Sequence, residues 1–536
     1  MSYDQLYIIT NALPYANDEL HLGHMFSYVS SDIRARFLRS IKGLRVLHVC
    51  GSDMHGSAIM LSASRNHESS KVRSLRYEKL HREAFDKFQV QFDVYKSTNQ
   101  QDNFTLVNEV FNYINCQGGI SVATQHIPFD HDHQLFLPDR LVKYSCRICN
   151  SIVENYYCTS CKSKMRNQDN CKCFNLIPIS VLTQKQIDYR AVQQYFLVID
   201  PHVETSLSKW LDSIGSGFKS VFNEWRKNGL RDFAISRSYP YWGIDITSCK
   251  LDSPRAFYVW FDAPIGYLSC LLDSTTSSLE DLRVVWNSAH IEQFLGKDIL
   301  SFHTIFWPTI LHHIQFKKVN RLFVNGHLLL KENKLSKSSG PMLSALNFVR
   351  QWSADHFRYY VASKMHINND VSLSSQEIVR VINDCLINKV LNIVNRIQGL
   401  IKRYDNVMLA SIADRSLMVD LNLMISRVLD HYEDQCLNEV VATIESMADK
   451  CNAYISNNKP WIDSKASHRN MSDILQIFRI MMYYLSPIMP TLTSRLEQYY
   501  GCKNTGNVLA SDTKLAKYNV VSTLINTDEL EEFLNL

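Results

Sequence analysis

The sequence predicts an α/β fold, a doubly wound parallel sheet that is split by a cysteine-rich insertion and followed by a C-terminal α-helical bundle. Three observations predict it. Strand patterns alternate with helical patterns in residues 6–56, six cysteines fall within residues 146–173, and helical periodicity dominates after about Met342. Because 536 residues are several times the ~150 of a typical domain, we expect several domains.

The first elements repeat a strand-then-helix unit. Residues 6–10 form an apolar strand, a polar turn containing Pro14 covers residues 11–19, and a helical pattern runs over residues 21–39. A second strand at 45–49 leads into a loop at 50–56. Parallel strands joined by helices produce this alternation, and the ligands of such sheets sit at the strand C-terminal ends.

The pattern changes to short strands, turns and cysteines over residues 116–231, which predicts an insertion into the α/β domain. The α/β pattern returns at 257–260 and again at 321–324. A long amphipathic helix follows, with Asn388, Asn392 and Arg396 on its polar side. Its apolar face consists of Leu386, Val390, Ile393, Val394, Ile397, Leu400 and Ile401.

These patterns divide the chain into five regions. They are a first half of the α/β domain at 1–115, the insertion at 116–231, a second half of the α/β domain at 232–341, a connection at 342–385, and a helical bundle at 386–536.

The overall composition is that of a globular protein, with 46% hydrophobic and 21% charged residues, which excludes a disordered or collagen-like chain. A net charge of only +4 means that any nucleic-acid partner must be argued from local features. The most apolar stretch, 474–489, contains Arg479 and Pro487 and is too short to cross a bilayer. Asp4 and the lack of a basic leader favour a cytoplasmic protein with no membrane partner.

The motif His21-Leu-Gly23-His24 lies at the start of the first predicted helix. Imidazoles three residues apart share one helical face, Gly23 lets a planar ring approach the backbone, and a helix N-terminus favours phosphate oxygens. The motif therefore suits a nucleotide. Taken alone, so short a motif also fits a chance pair of solvated histidines.

The second signal is the basic loop Lys334-Leu-Ser-Lys337-Ser, about 310 residues after the histidine motif. Its two flexible ammonium groups can close over a triphosphate and stabilise the charge on departing pyrophosphate. A solvated basic loop is the alternative for this segment alone. The pairing of the two motifs favours a nucleotide site.

Together the two motifs resemble those of the class I aminoacyl-tRNA synthetases, whose signatures are a His-x-Gly-His and a Lys-Met-Ser-Lys-Ser loop. The resemblance is most specific to the bacterial methionyl-tRNA synthetases. It implies a Rossmann-like catalytic domain in residues 1–115 and 232–341, a connection at 342–385 that contacts the tRNA stem, and an anticodon-binding bundle at 386–536. Leu335 replaces the usual Met, a volume-conserving change. The resemblance covers almost the whole chain through the blocks 11–17, 136–140, 257–267 and 294–308 and the C-terminal helices.

The resemblance implies a methionine pocket in which Asp53 holds the substrate ammonium. Its other members are Leu13, Tyr15, Trp260, Tyr267, Ile299 and His303. The chemistry fits, because a polarizable thioether packs well against aromatic edges. An ordinary core is the alternative for Trp260 and Tyr267. Ser52 stands where the family commonly has a second acidic residue, which alters the local loop charge.

The reaction that the resemblance implies has two steps without a covalent enzyme intermediate. The methionine carboxylate attacks the α-phosphorus of ATP, and the 3′-terminal ribose hydroxyl of tRNA then attacks the adenylate. Catalysis would rest on positioning and electrostatics, with Mg²⁺ carried by the ATP. The implied catalytic residues are His21, His24, Lys334 and Lys337, and the implied ATP contacts are Gly23, Gly296, Asp298 and Lys337.

The cysteine cluster contains two Cys-x-x-Cys pairs, Cys146/Cys149 and Cys158/Cys161, separated by eight residues. Four thiolates from such turns supply the tetrahedral set that Zn²⁺ prefers, with no open position. We expect one structural zinc ion, and the resemblance implies that this knuckle positions the tRNA acceptor end. A metal-free, degenerated knuckle is the alternative. Cys171 and Cys173, which have one residue between them, are either free thiols or alternative ligands for the same metal ion.

Amide, guanidinium and indole groups mark a candidate RNA-reading surface at Asn392, Arg396 and Trp461. Readers of single-stranded RNA combine such hydrogen-bonding groups with a stacking plane. The resemblance implies that these positions read the CAU anticodon. Solvated surface residues and, for Trp461, packing against Pro460 are the alternatives.

The sequence therefore predicts a methionine-tRNA ligase whose partners are ATP, L-methionine and methionine tRNA, including the initiator tRNA. A monomer is expected, since the chain ends just past the bundle. Three alternatives were weighed. They are a class I synthetase for leucine, valine, isoleucine or cysteine, a nucleotidylyltransferase with the same histidine motif, and an RNA-binding module that has lost its chemistry. The aromatic block, the anticodon set and the intact motifs argue against them.

Overall fold

The computed structural model describes residues 5–138, 141–147, 149–153, 176–227, 229–330, 333–334, 343–365, 369–408, 415–462, 464–503, 505–506, 513–518 and 522–535. Its strands are β1 Leu6–Asn11, β2 Arg45–Ser52, β3 Val94–Ser97, β4 Ile120–Asp130, β5 Leu135–Phe136, β6 Val142–Cys146, β7 Ile152–Val153, β8 Leu176–Ser180, β9 Asp188–Leu197, β10 Phe233–Ala234, β11 Ser236–Ser238, β12 Arg255–Phe257, β13 His290–Gly296, β14 Arg321–Asn325, β15 Leu328–Leu330, β16 Asn333–Lys334, β17 Val371–Leu373, β18 Val407–Met408 and β19 Thr513–Lys514.

The helices are α1 Leu22–Arg36, α2 Ser57–Arg65, α3 Ser70–Lys87, α4 Gln101–Cys116, α5 Pro201–Ile214, α6 Ser216–Lys227, α7 Val259–Ser269, α8 Leu279–Ser288, α9 Trp307–His313, α10 Ala345–Gln351, α11 Ala354–Lys364, α12 Ser375–Val379, α13 Asn392–Arg403, α14 Arg415–Glu433, α15 Leu437–Asn458, α16 Ser464–Leu485, α17 Pro490–Tyr500 and α18 Thr527–Asn535. Shorter helical turns extend them: π-helical Phe37–Ile41, Phe302–Phe306 and Arg380–Leu391, and 3₁₀ Lys297–Ile299.

The central sheet has the strand order β14-β13-β1-β2-β3, and all of these strands run parallel. The predicted doubly wound α/β sheet is therefore confirmed. Strand order reverses between β1 and β13, because the chain adds β2 and β3 on one side of β1 and later adds β13 and β14 on the other. Ligands bind at the strand C-terminal ends beside such a reversal. Here those ends are Asn11 and Gly296.

Both faces of the sheet are buried. Tyr7 and Ile9 of β1 join the core that the sheet shares with α1 and the C-terminal helices, whereas Ile8 joins the core of α4, α7 and α8. Neighbouring residues of a strand point to opposite faces, so a strand covered on both sides needs an unbroken apolar run. This explains the sequence of residues 6–9.

The insertion differs from its prediction at its C-terminal end. Long antiparallel strands β4 and β9 pair with each other, and β6 pairs with β7 and β8. The expectation of short strands and turns as far as residue 231 was wrong for residues 201–227, which form α5 and α6. Val203, Leu207 and Leu211 recur every four residues and are buried together, a helical pattern that the prediction missed.

The helix predicted around Leu386 is confirmed but begins earlier. Residues 375–403 form a continuous helical run from α12 to α13. Every residue of the predicted apolar face is buried. On the polar side Asn388 and Arg396 are exposed, whereas Asn392 is half-buried. In the described part of the chain, no helix has the length and apolarity needed to cross a membrane.

Buried ion pairs join α1 to its surroundings on both sides. The Arg34 guanidinium makes a two-point pair with Glu292 of β13, at 2.8 Å and 2.9 Å, and also donates to the Tyr432 carbonyl oxygen at 3.0 Å. Asp32 accepts from Arg358 of α11 at 2.6 Å. Both pairs are almost completely buried. Helix α1 is thus fixed to the sheet and to the helical region at once.

Replacing Glu292 by Gln should lower the free energy of unfolding by about 3 to 5 kcal/mol, because Arg34 would stay buried with only the longer, more exposed contact to Glu433 as counter-charge. Asp420→Asn is the matched control, since Asp420 pairs with Lys450 at 2.6 Å on the exposed surface. That change should cost at most about 1 kcal/mol. Chemical denaturation measures both. Equal losses of unfolding free energy in the two variants would contradict the claim that the buried ion pair is a major stabilising interaction.

The same substitution should change the pH dependence of stability. Burial raises the pKa of Glu292, but the Arg34 charge and hydrogen bonds prevail and lower it from 4.5 to about 2. Because the folded pKa lies below the unfolded one, this stabilisation is present above pH 4.5 and disappears as the pH falls toward 2. Wild-type stability should therefore decline more steeply than that of Glu292→Gln between about pH 5 and pH 3.

Candidate active site

Two loops at the C-terminal edge of the sheet run side by side. The loop after β1 and the loop after β2 are joined by backbone hydrogen bonds from Ala16 N–H to the Asp53 carbonyl, at 2.8 Å, and from Asp53 N–H to the Pro14 carbonyl, at 2.9 Å. This pairing brings Tyr15 next to Asp53. The Tyr15 hydroxyl also accepts from the Ile59 N–H at the start of α2, at 3.3 Å.

Aromatic side chains of α7 and of the segment before α9 form a wall. The Tyr267 hydroxyl donates to His303 Nε2 at 2.9 Å, and His303 Nδ1 donates to the Ile299 carbonyl at 2.9 Å. The Trp260 ring stacks on Phe302 with 3.8 Å between centroids. Its edge-on contact with His303, at 6.4 Å, links the two parts of the wall. Four of the predicted pocket residues therefore lie together.

Burial fixes the protonation of this wall. It lowers the pKa of His303 to about 4, against the opposing Ile299 hydrogen bond, so the imidazole is neutral at physiological pH. Burial also raises the pKa of Tyr267 well above its usual range; the charge of Asp53 adds to this and the Leu13 N–H opposes it. Leu13 and Asp53 are thus neighbours of Tyr267. The wall offers a polarizable, uncharged surface.

The half-buried Asp53 carboxyl and the aromatic wall border the same site, which we call the cleft. Burial raises the pKa of Asp53 well above the usual range, the nearby Asp262 carboxyl raises it further, and the His55 N–H, 3.4 Å from Oδ1, opposes both. A cation placed beside such a group restores its ionised form. The cleft therefore favours a ligand with an ammonium group beside an apolar side chain.

The histidine motif begins α1, as predicted. His21 is the N-cap residue, its N–H donates to His24 Nδ1 at 3.2 Å, and the two rings stack at 3.6 Å. A Cβ at Gly23 would lie 3.0 Å from the His21 ring, so any larger residue would displace that ring. The motif occupies the β1 side of the strand-order reversal.

The segment that follows the basic loop lies beside this motif. Lys334 belongs to β16, whose backbone pairs with Leu329, but its side chain and all of Lys337 lie outside the described residues. After the loop, the Leu343 carbonyl accepts from the Leu22 N–H at 3.0 Å. The bridge between Ser344 and His21 continues this contact. The loop is therefore anchored at the N-terminus of α1.

Gly296 and Asp298 lie across the reversal from the histidines. Gly296 ends β13, and Asp298 follows in the 3₁₀ turn, exposed and 3.3 Å from His327 Nε2. Lys297 pairs with Asp370, which also accepts from the His327 N–H at 2.6 Å. These contacts fix the turn at the edge of the nucleotide site.

The first Cys-x-x-Cys pair occupies the hairpin between β6 and β7. The Asn150 N–H donates to the Cys146 carbonyl at 2.8 Å, and the Cys146 N–H donates to the Ser151 carbonyl at 3.0 Å. Asn150 adopts a φ of 55°, which closes the turn directly after Cys149. Such a turn suits one half of a thiolate site. Among the described residues no metal-binding cluster is assembled, and Cys158, Cys161, Cys171 and Cys173 lie outside them.

Of the proposed RNA-reading residues, Arg396 contacts the C-terminal part of α15. Arg396 donates to Asn452 at 2.6 Å and to Ser456 at 3.2 Å. The chain then reaches Trp461 five residues after Ser456, and 45% of its side chain is exposed. Asn392 lies one helical turn before Arg396. The three positions therefore face the same end of the bundle.

Sequence reasoning missed other residues around the cleft. His55 Nδ1 lies 2.6 Å from Asp262 Oδ2, and both side chains are buried. The Arg237 guanidinium lies 3.7 Å from the Tyr258 ring centroid. The sequence contained a hint for Asp262, because an acidic residue is unusual within an apolar run such as 257–267. His55 gave none, because its partner is 207 residues away in the chain.

Comparisons with known proteins show the family of this chain. The family described as tRNA synthetases class I (M) matches residues 7–398, and the anticodon-binding domain of tRNA ligase matches residues 414–534. The methionine-tRNA ligase of Francisella tularensis subsp. tularensis is 31% identical over 546 aligned positions, which cover 98% of this chain and 80% of that protein. The chain belongs to this family of class I tRNA synthetases.

Further relatives carry the same name. The methionine-tRNA ligase of Buchnera aphidicola subsp. Baizongia pistaciae is 31% identical over 92% of both chains. A solved structure described as Mycobacterium tuberculosis methionyl-tRNA synthetase in complex with methionyl-adenylate has a TM-score of 0.77 at 21% identity, covering 96% of this chain and 99% of that one. This likeness shows the shared fold. By family, the chain is an aminoacyl-tRNA ligase.

Proposed function

We propose that this protein activates L-methionine with ATP and transfers it to methionine tRNA, including the initiator tRNA. The observation that carries the proposal is the placement of the histidine motif. His21 and His24 begin α1, the segment that follows the basic loop contacts His21 and Leu22, and the cleft with Asp53 opens from the same edge of the sheet. An ammonium site, an apolar pocket and a phosphate site thus adjoin.

In the first step the methionine carboxylate attacks the α-phosphorus of ATP, and pyrophosphate leaves. Asp53 holds the ammonium, while the thioether lies among Trp260, Tyr267 and His303. The remaining pocket contacts are Leu13, Tyr15 and Ile299. These groups fix the orientation of the substrate carboxylate, and this positioning lowers much of the activation barrier.

The phosphate groups are contacted in this step by His21, His24, Lys334 and Lys337. Their donors stabilise the negative charge on the transferring phosphoryl group and on pyrophosphate. The backbone at Gly23, together with Gly296, Asp298 and Lys337, contacts the nucleotide, and Mg²⁺ enters with the ATP. In the second step the tRNA ribose hydroxyl attacks the adenylate carbonyl, and AMP leaves.

Pyrophosphate exchange into ATP, driven by each of the twenty amino acids, tests the proposal. Methionine alone should support exchange, and Lys337→Ala should lower its rate about 100- to 1,000-fold, because a charge-stabilising donor is lost. Lys87→Ala, at the exposed end of α3, is the control and should keep the wild-type rate. No exchange from folded protein would favour an RNA-binding module, and exchange with another amino acid would favour another class I ligase.

We also propose one structural zinc ion held by Cys146, Cys149, Cys158 and Cys161. The closed hairpin turn at Cys146 and Cys149 supports one half of this set. A tetrathiolate site has no open position, so the ion would order the insertion near the tRNA acceptor end rather than take part in the chemistry.

Metal analysis of the purified protein should find one zinc per chain. Cys149→Ser should remove most of it, because a hydroxyl is a much poorer zinc ligand than a thiolate. Cys502→Ser, at another exposed cysteine, should leave the content unchanged. Zinc-free protein with full aminoacylation activity would support the degenerated knuckle instead.

We propose that Asn392, Arg396 and Trp461 read the CAU anticodon. The support is their common position at one end of the bundle, with an exposed indole plane beside hydrogen-bonding groups. A base unstacked from the anticodon loop would stack on Trp461.

Trp461→Ala should raise the KM for tRNA about 5- to 100-fold while leaving methionine-dependent pyrophosphate exchange unchanged, because a base loses its stacking partner far from the chemistry. Trp461→Phe keeps an aromatic face and should stay near the wild type. Aminoacylation kinetics measure both variants. An alanine variant with unchanged tRNA KM would remove Trp461 from the interface.

The five-region division at residues 116, 232, 342 and 386 is likewise our proposal, as are a monomeric state and a cytoplasmic location suited to translation. A solution mass near 62.1 kDa would support the monomer.

A further inference from the structure

A buried pair of ionisable side chains lies beside the loop that carries Asp53. His55 follows Asp53 by two residues, and Asp262 lies in the first turn of α7. Their side chains are 1% and 0% exposed, and His55 Nδ1 is 2.6 Å from Asp262 Oδ2. Neither residue belongs to the methionine contacts proposed above.

The backbone on both sides of His55 is held separately. The Met54 N–H donates to the Thr98 hydroxyl at 3.0 Å, and the Trp242 indole N–H donates to the Met54 carbonyl at 2.6 Å. The Gly56 N–H donates to the Trp242 carbonyl at 2.7 Å. These bonds connect the loop to β3 and to the segment after β11. Among the described side-chain hydrogen bonds, the imidazole of His55 links this loop to α7.

The hydrogen bond between His55 and Asp262 involves ionisable groups that are buried away from solvent. Burial raises the pKa of Asp262, and the His55 charge and hydrogen bond oppose this. Asp262 Oδ1 has no hydrogen-bond partner in the described part of the structure, so among the described side chains it is His55 that compensates this carboxylate, while backbone N–H groups at Ala263 and Asp262 also lower its pKa. A buried charge with one strong partner holds that partner in a narrow range of orientations.

We propose that Asp262 is a positioning residue for methionine binding: through the Nδ1–H of His55 it fixes the loop 53–56 and so directs the Asp53 carboxylate at the substrate ammonium. The inference rests on the proposed function. His55 connects the two carboxyl groups, because its side chain bonds Asp262 while its backbone N–H faces Asp53 Oδ1 at 3.4 Å.

Ring packing is the competing explanation for His55. Its ring lies 5.6 Å from that of Trp242 and 6.0 Å from that of Phe104. Two substitutions separate the explanations. His55→Phe keeps the ring and removes the donor, whereas His55→Asn loses the ring and keeps an N–H at the Nδ1 position.

His55→Phe should raise the methionine KM in pyrophosphate exchange about tenfold or more, with the ATP KM changed less than about twofold, because Asp53 loses its support and the nucleotide site does not. His55→Asn should stay within about threefold of the wild type. Phe104→Leu disturbs the ring packing alone and serves as the control, with no change expected. The reverse order of the two His55 variants would overturn the proposal.

Substrate analogues provide a readout that general damage to the pocket would not produce. L-methioninol keeps the ammonium, whereas 4-(methylthio)butanoate lacks it. In His55→Phe, inhibition by methioninol should weaken about as much as methionine binding, while inhibition by the butanoate should stay as in the wild type. Equal weakening of both inhibitors would overturn the proposal.

Failure of this inference can be told apart from failure of the proposed function. If the wild type exchanges with methionine but His55→Phe is unchanged, the positioning role is wrong and the function stands. If the wild type does not exchange with methionine, the proposed function fails first. Should His55→Phe not fold, His55→Asn decides alone: a KM within about threefold supports the proposal, and a tenfold rise overturns it.

Discussion

The buried ion pairs of α1 are the interactions on which the rest of the structure depends. Arg34 pairs with Glu292 in the sheet, and Asp32 pairs with Arg358 in the helical region. Ionised groups in a dry core tolerate little movement, since separation leaves an uncompensated charge. The N-terminus of the same helix carries His21 at the strand-order reversal. Phosphate site, sheet and helical region are therefore fixed by one element.

The methionine cleft is governed by a second electrostatic constraint. Asp53 and Asp262 repel each other in a partly dry space, and His55 contacts Asp262 with its side chain and Asp53 with its backbone N–H. His303 contributes no charge, because burial lowers its pKa to about 4. The amino acid substrate that we propose would supply the missing positive charge with its ammonium group and would pack its side chain against the aromatic wall. Electrostatics and shape thus favour the same kind of ligand.

Elements with strong periodicity were predictable from the sequence. The apolar run at 6–10 and the helical face around Leu386 were confirmed, since full burial leaves an unambiguous pattern. Residues 201–227 were assigned wrongly, because turn residues and a preceding β-rich segment obscured a helical repeat. Phe257 to Trp260 divides between the end of β12 and the start of α7. Short apolar runs suit either state, and packing decides.

The sequence by itself determined the family and the candidate sites of this protein: the histidine motif and the basic loop, a methionine-type pocket by resemblance, paired cysteines and an aromatic residue in a helical region. These signals are local, because each depends on residue types at short spacings. Tertiary structure alone decided which distant groups meet, such as Arg34 with Glu292, 258 residues apart, and His55 with Asp262, 207 residues apart. A contact across such separations leaves no periodicity in a single sequence, and it forms only when the sheet brings its strands together.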